Sequence, residues 1–180
     1  MCDTEVYTVR VDTVNTTVSN VDFVSYINIP LRNVVKAELI NAVIPANVNA
    51  SPMLYIYVSE LVSKFNDRAT LQYTLSSAGK ISTQGALTAP MSNLQYLKTA
   101  FVSIPADQTN SRTTYTSSGS GFPTDVMFID PIRQLKTLTV TIYDQFGVPI
   151  NDPTNLGATF MTFRFTCAKP NVCQYGGQIV

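Results

Sequence analysis

Histidine and tryptophan are both absent from the 180 residues. The lack of histidine removes Ser-His-Asp and Cys-His nucleophile systems, the commonest general base and most zinc sites. Charge is scarce as well: Asp, Glu, Lys and Arg make up 13% of the chain, against roughly 25% in an ordinary soluble domain. Twelve basic and twelve acidic side chains cancel, and no basic run occurs between Arg10 and Lys169. Direct nucleic-acid binding is therefore not expected, because a phosphate backbone is held by clustered cations. No stretch approaches the eighteen or so apolar residues of a membrane span. The start, MCDTEVYTVRVDTV, has no basic segment leading into an apolar run, so it does not read as a secretory signal. Without secretion, the triplets Asn15-Thr16-Thr17 and Asn49-Ala50-Ser51 are read as polar loops rather than glycosylation sites. The three cysteines, Cys2, Cys167 and Cys173, are an odd set that favours reduced thiols. They are too few for a structural zinc site. One is expected to pack at the end of the last strand, and a Cys167–Cys173 disulfide is the lesser alternative.

What fills the place of charge is Ser, Thr and Asn. A surface of that kind can be buried against protein without stranding many ions, which suits extensive contacts. Length and composition point to one domain over residues 1–180 with a real core.

The dominant period is two. Tyr7, Val9 and Val11 alternate with Thr8, Arg10 and Asp12, the pattern of a half-buried strand. Val24–Ile29 continues in that style and is expected to stop at Pro30. Val34–Ile44 places Val35, Ala37, Leu39 and Val43 on one phase, with Lys36, Glu38 and Ile40 on the other. Ala, Glu and Leu would suit a short helix there, but Pro45 follows, no capping pattern is present and the neighbours are strands, so a strand is expected. Leu54–Ser59, Ala69–Leu75, Tyr96–Ile104, Asp125–Ile129, Leu135–Tyr143 and Thr159–Thr166 complete about nine short strands. The helix candidate is Glu60–Phe65, one or two turns.

Asp130–Asp152, DPIRQLKTLTVTIYDQFGVPIND, is the most sharply patterned stretch. Leu138, Val140 and Ile142 alternate with Thr137, Thr139 and Thr141. Asp130-Pro131 is expected to set the entry of that strand, and Asp144–Gly147 the tight turn at its exit. Ser76–Gln95 and Pro105–Thr124 read as long polar connections. Long crossings between sheets belong to Greek-key arrangements, and the fold expected is all-β: a single eight-stranded jelly-roll β-sandwich with long polar loops and little helix. Asp107–Gly121 reads as a mobile surface loop or, on a sharper view, a contact loop that orders against a neighbouring subunit.

No catalytic, cofactor-binding or metal-ligating residue is assigned. A glycosidase needs two carboxylates facing each other across roughly 5 to 9 Å. Beyond Glu5 the glutamates are Glu38 and Glu60, and Glu38 shares a strand face with Lys36. Asp144, Asn151 and Asp152 supply oxygen donors, but not in calcium-loop spacing, and turn capping accounts for them. No phosphate-binding glycine loop is present. Tyr55, Tyr57 and Tyr73 would be the aromatics of a sugar-binding face.

Ile29–Pro45 (IPLRNVVKAELINAVIP), Leu54–Leu61 (LYIYVSEL), Asp130–Asp152 and Thr159–Thr166 (TFMTFRFT) together resemble the single jelly-roll capsid proteins of large icosahedral double-stranded DNA viruses. The resemblance is nearest to the vertex, or penton, proteins of algal and other giant viruses. It implies a non-enzymatic virion protein without cofactors, assembled in the host cytoplasm. It implies a homopentamer at the fivefold vertex, touching the trimers of major capsid protein around it and other minor capsid proteins. The alternatives are a minor cement protein elsewhere in the shell and, behind it, a carbohydrate-binding jelly-roll module.

Overall fold

The computed structural model describes residues 3–14, 19–45, 52–62, 74–75, 81–82, 96–97, 99–107, 112–119, 124–150 and 157–169. These residues are nearly all β, as the alternation predicts. In chain order the strands are β1 (Thr4–Asp12), β2 (Asp22–Pro45), β3 (Met53–Val58), β4 (Thr74–Leu75), β5 (Ile81–Ser82), β6 (Val102–Pro105), β7 (Arg112–Thr116), β8 (Asp125–Tyr143) and β9 (Phe160–Ala168). All pairings are antiparallel. One sheet runs β1-β9-β2-β8-β3-β6, with β7 added to the far end of β2, while β4 and β5 form a separate two-residue ladder.

Two strands are far longer than alternation alone suggests. Pro30 does not end a strand, and Asp130-Pro131 does not begin one, because β2 and β8 run straight through them. Both prolines are exposed and sit where the β2–β8 ladder is interrupted. Proline has no amide hydrogen, and a bulge is the place in a sheet where none is required. From the rung Tyr26↔Thr137 to Leu31↔Leu135, β2 advances five residues while β8 advances two. From Val34↔Ile132 to Lys36↔Met127 the imbalance is reversed. The two excursions cancel, and the original register resumes.

Smaller bulges shift the buried phase of β2. Against β9, the ladder slips by one residue between Val34 and Lys36 and again between Leu39 and Asn41. Burial therefore falls on Val34, Ala37, Leu39, Ala42 and Ile44, leaving Val35 and Val43 only half-buried, contrary to the unbroken period of two. Asn33, just before the first slip, has φ 52, a left-handed conformation that asparagine tolerates better than most residues. Strand β9 has no bulge of its own and keeps strict alternation, with Met161, Phe163, Phe165 and Cys167 all buried.

The sheet bends so that both halves meet in one core. A single apolar cluster joins Leu54 and Ile56 of β3, Ile104 of β6, Leu138, Val140 and Ile142 of β8, and Phe163 and Phe165 of β9. Phe101, just before β6, meets Phe163 with ring centroids 6.0 Å apart. Tyr55 and Tyr143, on the other face of their strands, are covered by Leu97 and Ala100 in a smaller second cluster.

Three local expectations change. Glu60–Phe65 is not a helix of one or two turns in its described part, which is a 3-10 turn at Ser59–Leu61; residues 63–65 lie outside the described set. Among the described residues of Tyr96–Ile104, only Val102–Ile104 is extended. The stretch Asp107–Gly121, expected as loop, contains β7, paired along five rungs with Asn41–Pro45 of β2. It is short and built of Thr, Arg and Tyr, so composition resembles a loop, while Thr113 and Tyr115 are buried on alternate positions. The Asp144–Gly147 turn is present, with Gly147 at φ 73.

Phe163→Ala is expected to cost about 3–5 kcal/mol in a denaturant titration, because the ring is fully buried between Phe101 and Phe165. Asn33→Gly should be near neutral. Asn33→Val should cost about 1–2 kcal/mol through the left-handed backbone alone.

Candidate functional site

Of the acidic residues weighed as chemistry, Asp144, Glu38 and Glu60 are occupied by the fold. Asp144 caps its own turn: Oδ1 accepts from the Phe146 amide at 2.8 Å and the Val148 amide at 2.9 Å. Asn151 and Asp152 lie outside the described residues. Glu38 pairs with Arg164 on β9 at 3.4 Å, whereas Lys36, its neighbour on the same face, pairs with Asp125 on β8 at 2.9 Å. Glu60 stands beside Thr139, near the opposite end of β8 from Asp125, so the two glutamates do not face each other across a cleft. Among the described residues no three His, Cys, Asp or Glu side chains gather as a metal site, and no helix is long and apolar enough to cross a membrane.

Glu60 has a structural task that sequence reading missed. Strand β3 stops pairing with β8 at Val58↔Val140. Beyond that rung the Glu60 carboxylate takes over as acceptor, from the Thr139 amide at 2.7 Å, the Thr139 hydroxyl at 2.7 Å and the Thr137 hydroxyl at 3.1 Å. Burial alone would raise its pKa, but hydrogen bonds from Thr139, its own backbone amide and Ser59 together hold it below its ordinary value. The threonine face of β8 is therefore not a plain solvent face. Thr141 likewise donates to Asp22 at 3.0 Å.

The aromatics considered for sugar stacking are also engaged. Tyr55 is only 3% exposed. Tyr57 meets Tyr96 and Tyr143 edge-on, and Tyr96 stacks on Tyr143 at 5.2 Å. Tyr73 lies outside the described residues.

Two surface features remain. The first is a set of large apolar side chains exposed near the two excursions of the β2–β8 ribbon. Tyr26 (79% exposed) and Ile29 (75%) lie beside the β2 excursion, Met127 (70%) and Ile129 (71%) beside that of β8. The second is an open groove of about 680 Å³ between the β2 bend and the ends of β1 and β9. Leu31 and Cys167 form its buried floor, and Ile29 and Pro30 its apolar wall. At its rim the Tyr7 hydroxyl donates to Glu5 Oε2 at 2.6 Å, and Lys169 Nζ lies 3.4 Å from Glu5 Oε1. The Tyr7 bond, then Lys169, keeps the Glu5 carboxyl below its ordinary range, and the same hydrogen bond, then the Glu5 charge, raises the Tyr7 phenol. Burial pushes the Cys167 thiol up, so it is not a poised thiolate.

Comparison with known proteins finds no matching family model and no matching curated protein. The site must be read from its own geometry. That geometry offers large apolar side chains presented to solvent on a rigid ribbon, beside carboxylates that are already bonded within the chain.

Glu60→Gln is expected to cost about 1–2 kcal/mol at pH 7, since the donors to Glu60 lose a charged acceptor at a partly exposed site. A carboxyl whose folded pKa is depressed contributes stability above its unfolded value, about 4.3, and loses it as pH falls through the lower folded value. Chemical denaturation of both chains should therefore show the gap at pH 7 and its closure below about pH 4.

Proposed function

We propose that this chain is a structural capsid protein, a single jelly roll that forms a homopentamer at the fivefold vertices of an icosahedral virion and contacts the surrounding major capsid protein. The observation that carries the reading is the solvent exposure of Tyr26, Ile29, Met127 and Ile129 near the two excursions of the β2–β8 ribbon. Apolar side chains that large and that exposed, on paired strands rather than on free loops, fit a surface completed by other protein.

The pairing order supports the fold half of the proposal. Counting bent β2 and β8 as two strands each gives two four-stranded halves. One is β1, β9, the second half of β2, and β7 with the start of β8. The other is the first half of β2, the rest of β8, β3 and β6. With β7 and the start of β8 taken as one strand, this grouping supports a double Greek key reading. A ring of identical copies is a closed heterologous assembly, in which one patch meets a different patch on the next copy. The low total charge lowers the desolvation cost of such contacts.

Electron microscopy of the purified protein, or of particle vertices, is expected to show five-membered rings. A monodisperse monomer at high concentration that is absent from particles sinks the proposal, and a copy number other than five per vertex points to a cement position. Replacing Ile29 and Met127 together by Asp should abolish rings while leaving the thermal midpoint within about 3 °C, because neither side chain supports the core.

A further inference from the structure

Strand β1 ends the sheet, and its register with β9 is unbroken from Thr4↔Ala168 to Asp12↔Phe160. Just beyond its two ends, the Thr13 amide donates to the Thr159 carbonyl at 3.1 Å, and the Asp3 carbonyl accepts from the Lys169 amide at 2.9 Å. Backbone groups alternate in direction along a strand, so the odd-numbered residues of β1 bond to β9. The amides and carbonyls of Thr4, Val6, Thr8, Arg10 and Asp12 therefore point the other way. Among the described residues, no strand pairs with that side. Other open edges are short or interrupted: β6 has four residues and ends at Pro105, β7 has five, and β2 before its bend runs into Pro30. Strand β1 has nine residues, TEVYTVRVD, without the proline, lysine or bulge that discourages edge pairing.

We infer that β1 docks antiparallel on β1 of a second copy, about a twofold axis at Thr8, and joins the two sheets into one. In this register Thr4 faces Asp12, Val6 faces Arg10, Tyr7 faces Val9 and Thr8 faces its own counterpart, so every outward amide meets an outward carbonyl. Thr–Thr and aromatic–β-branched pairs are among those that stabilise a ladder, and the Arg10 stem lies along Val6. Charge selects the register. At Thr8 no like charges are opposed or diagonal across the seam. Moving the axis to Val9 sets the two Arg10 side chains diagonally, and moving it to Arg10 opposes them directly. Moving it to Tyr7 shortens the ladder. Glu5, which faces buried Val11, is already held by Tyr7 and Lys169. The strand is thus complementary to itself, as an isologous twofold contact requires. The pairing uses none of Tyr26, Ile29, Met127 or Ile129, so it stands whether or not the chain forms rings.

The test uses the full chain carrying Ile29→Asp and Met127→Asp, which removes the proposed ring contact. Sedimentation at high concentration is expected to give twice the chain mass of 19.7 kDa. Amide exchange read residue by residue by NMR, there and at about a hundredfold dilution, locates the seam. Val6, Thr8 and Arg10 are expected to exchange about tenfold more slowly in the concentrated sample, while the β9-bonded amides of Tyr7, Val9 and Val11 stay slow in both. Adding Thr8→Pro removes an outward amide, leaves the β9 ladder its donors, and should weaken dimerisation at least about tenfold. A monomer at the higher concentration overturns the inference. So does an assembly of any size in which Val6, Thr8 and Arg10 exchange equally at both concentrations, within about twofold. A folded Thr8→Pro chain that dimerises as its parent does also overturns it, and if that chain does not fold, the exchange measurement decides alone.

Discussion

The continuous pairing of β2 with β8 is the constraint on which the rest of the structure depends. The ladder begins at Asp22↔Thr141 and ends at Glu38↔Asp125, and each strand passes through both halves of the sheet. Strand β2 is therefore flanked by β8 along its first part and by β9 and β7 along its last. A regular ribbon of that length would twist but not fold back over its own apolar face. The paired excursions at Ile27–Pro30 and Phe128–Pro131 supply the bend, and because they cancel, the strands on both sides keep one register. Ile27 and Phe128 at the excursions still pack against the core, whereas Ile29 and Ile129 stand in solvent.

Bending a sheet leaves backbone groups to be satisfied, and several of the chain's sparse polar groups meet that need. At the second bulge of β2, the Leu39 amide donates to the Thr124 carbonyl at 2.9 Å. The Thr124 hydroxyl in turn donates to the Leu39 carbonyl at 3.1 Å and accepts from Tyr115 at 3.2 Å, tying β7 to the same point. Glu60 does the equivalent where β3 runs out. Thr159, fully buried, donates its amide to the Thr13 hydroxyl and its own hydroxyl to the Asn20 carbonyl, fastening the start of β9 to the connection between β1 and β2. A buried polar group without a partner costs about 1–3 kcal/mol. Among the described residues no buried side-chain polar atom lacks one.

The all-β character was legible because unbent strands alternate plainly. Phe163 and Phe165, or Leu138 and Val140, declare their face by period alone. The same logic failed wherever the backbone inserted a residue. Val35 and Val43 were placed on the buried phase of β2, yet one-residue slips moved burial to Val34, Ala42 and Ile44. Pro30 and Pro131 read as strand ends because proline is usually excluded from ladders, and both occupy the excursions where that exclusion lapses. A bulge depends on the partner strand, so its position is not written in the strand that carries it. For the surface the position was similar. The turn-capping role of Asp144 followed from local sequence. The ladder-capping by Glu60 did not, because Thr139 lies 79 residues away. The exposure of Tyr26 and Met127 needed the bend itself to be known.

Few charges remain for a chain built this way, and their placement shows what they are for. The three ion pairs among the described residues bridge three successive strand junctions: Glu5 to Lys169 joins β1 to β9, Glu38 to Arg164 joins β2 to β9, and Lys36 to Asp125 joins β2 to β8. Partly exposed pairs of this kind contribute about 0–1 kcal/mol each, too little to hold the sheet together. Their value lies in register. A slip of one residue at any of these junctions moves a charge to the opposite face, and for Arg164, flanked by buried Phe163 and Phe165, that face is the core. The bulges make such slips a real hazard, since each bulge is a register error that the native fold has adopted. Cross-strand charge beside the bulged strand fixes which register error is kept, and with it which apolar side chains are left at the bend for another molecule to meet.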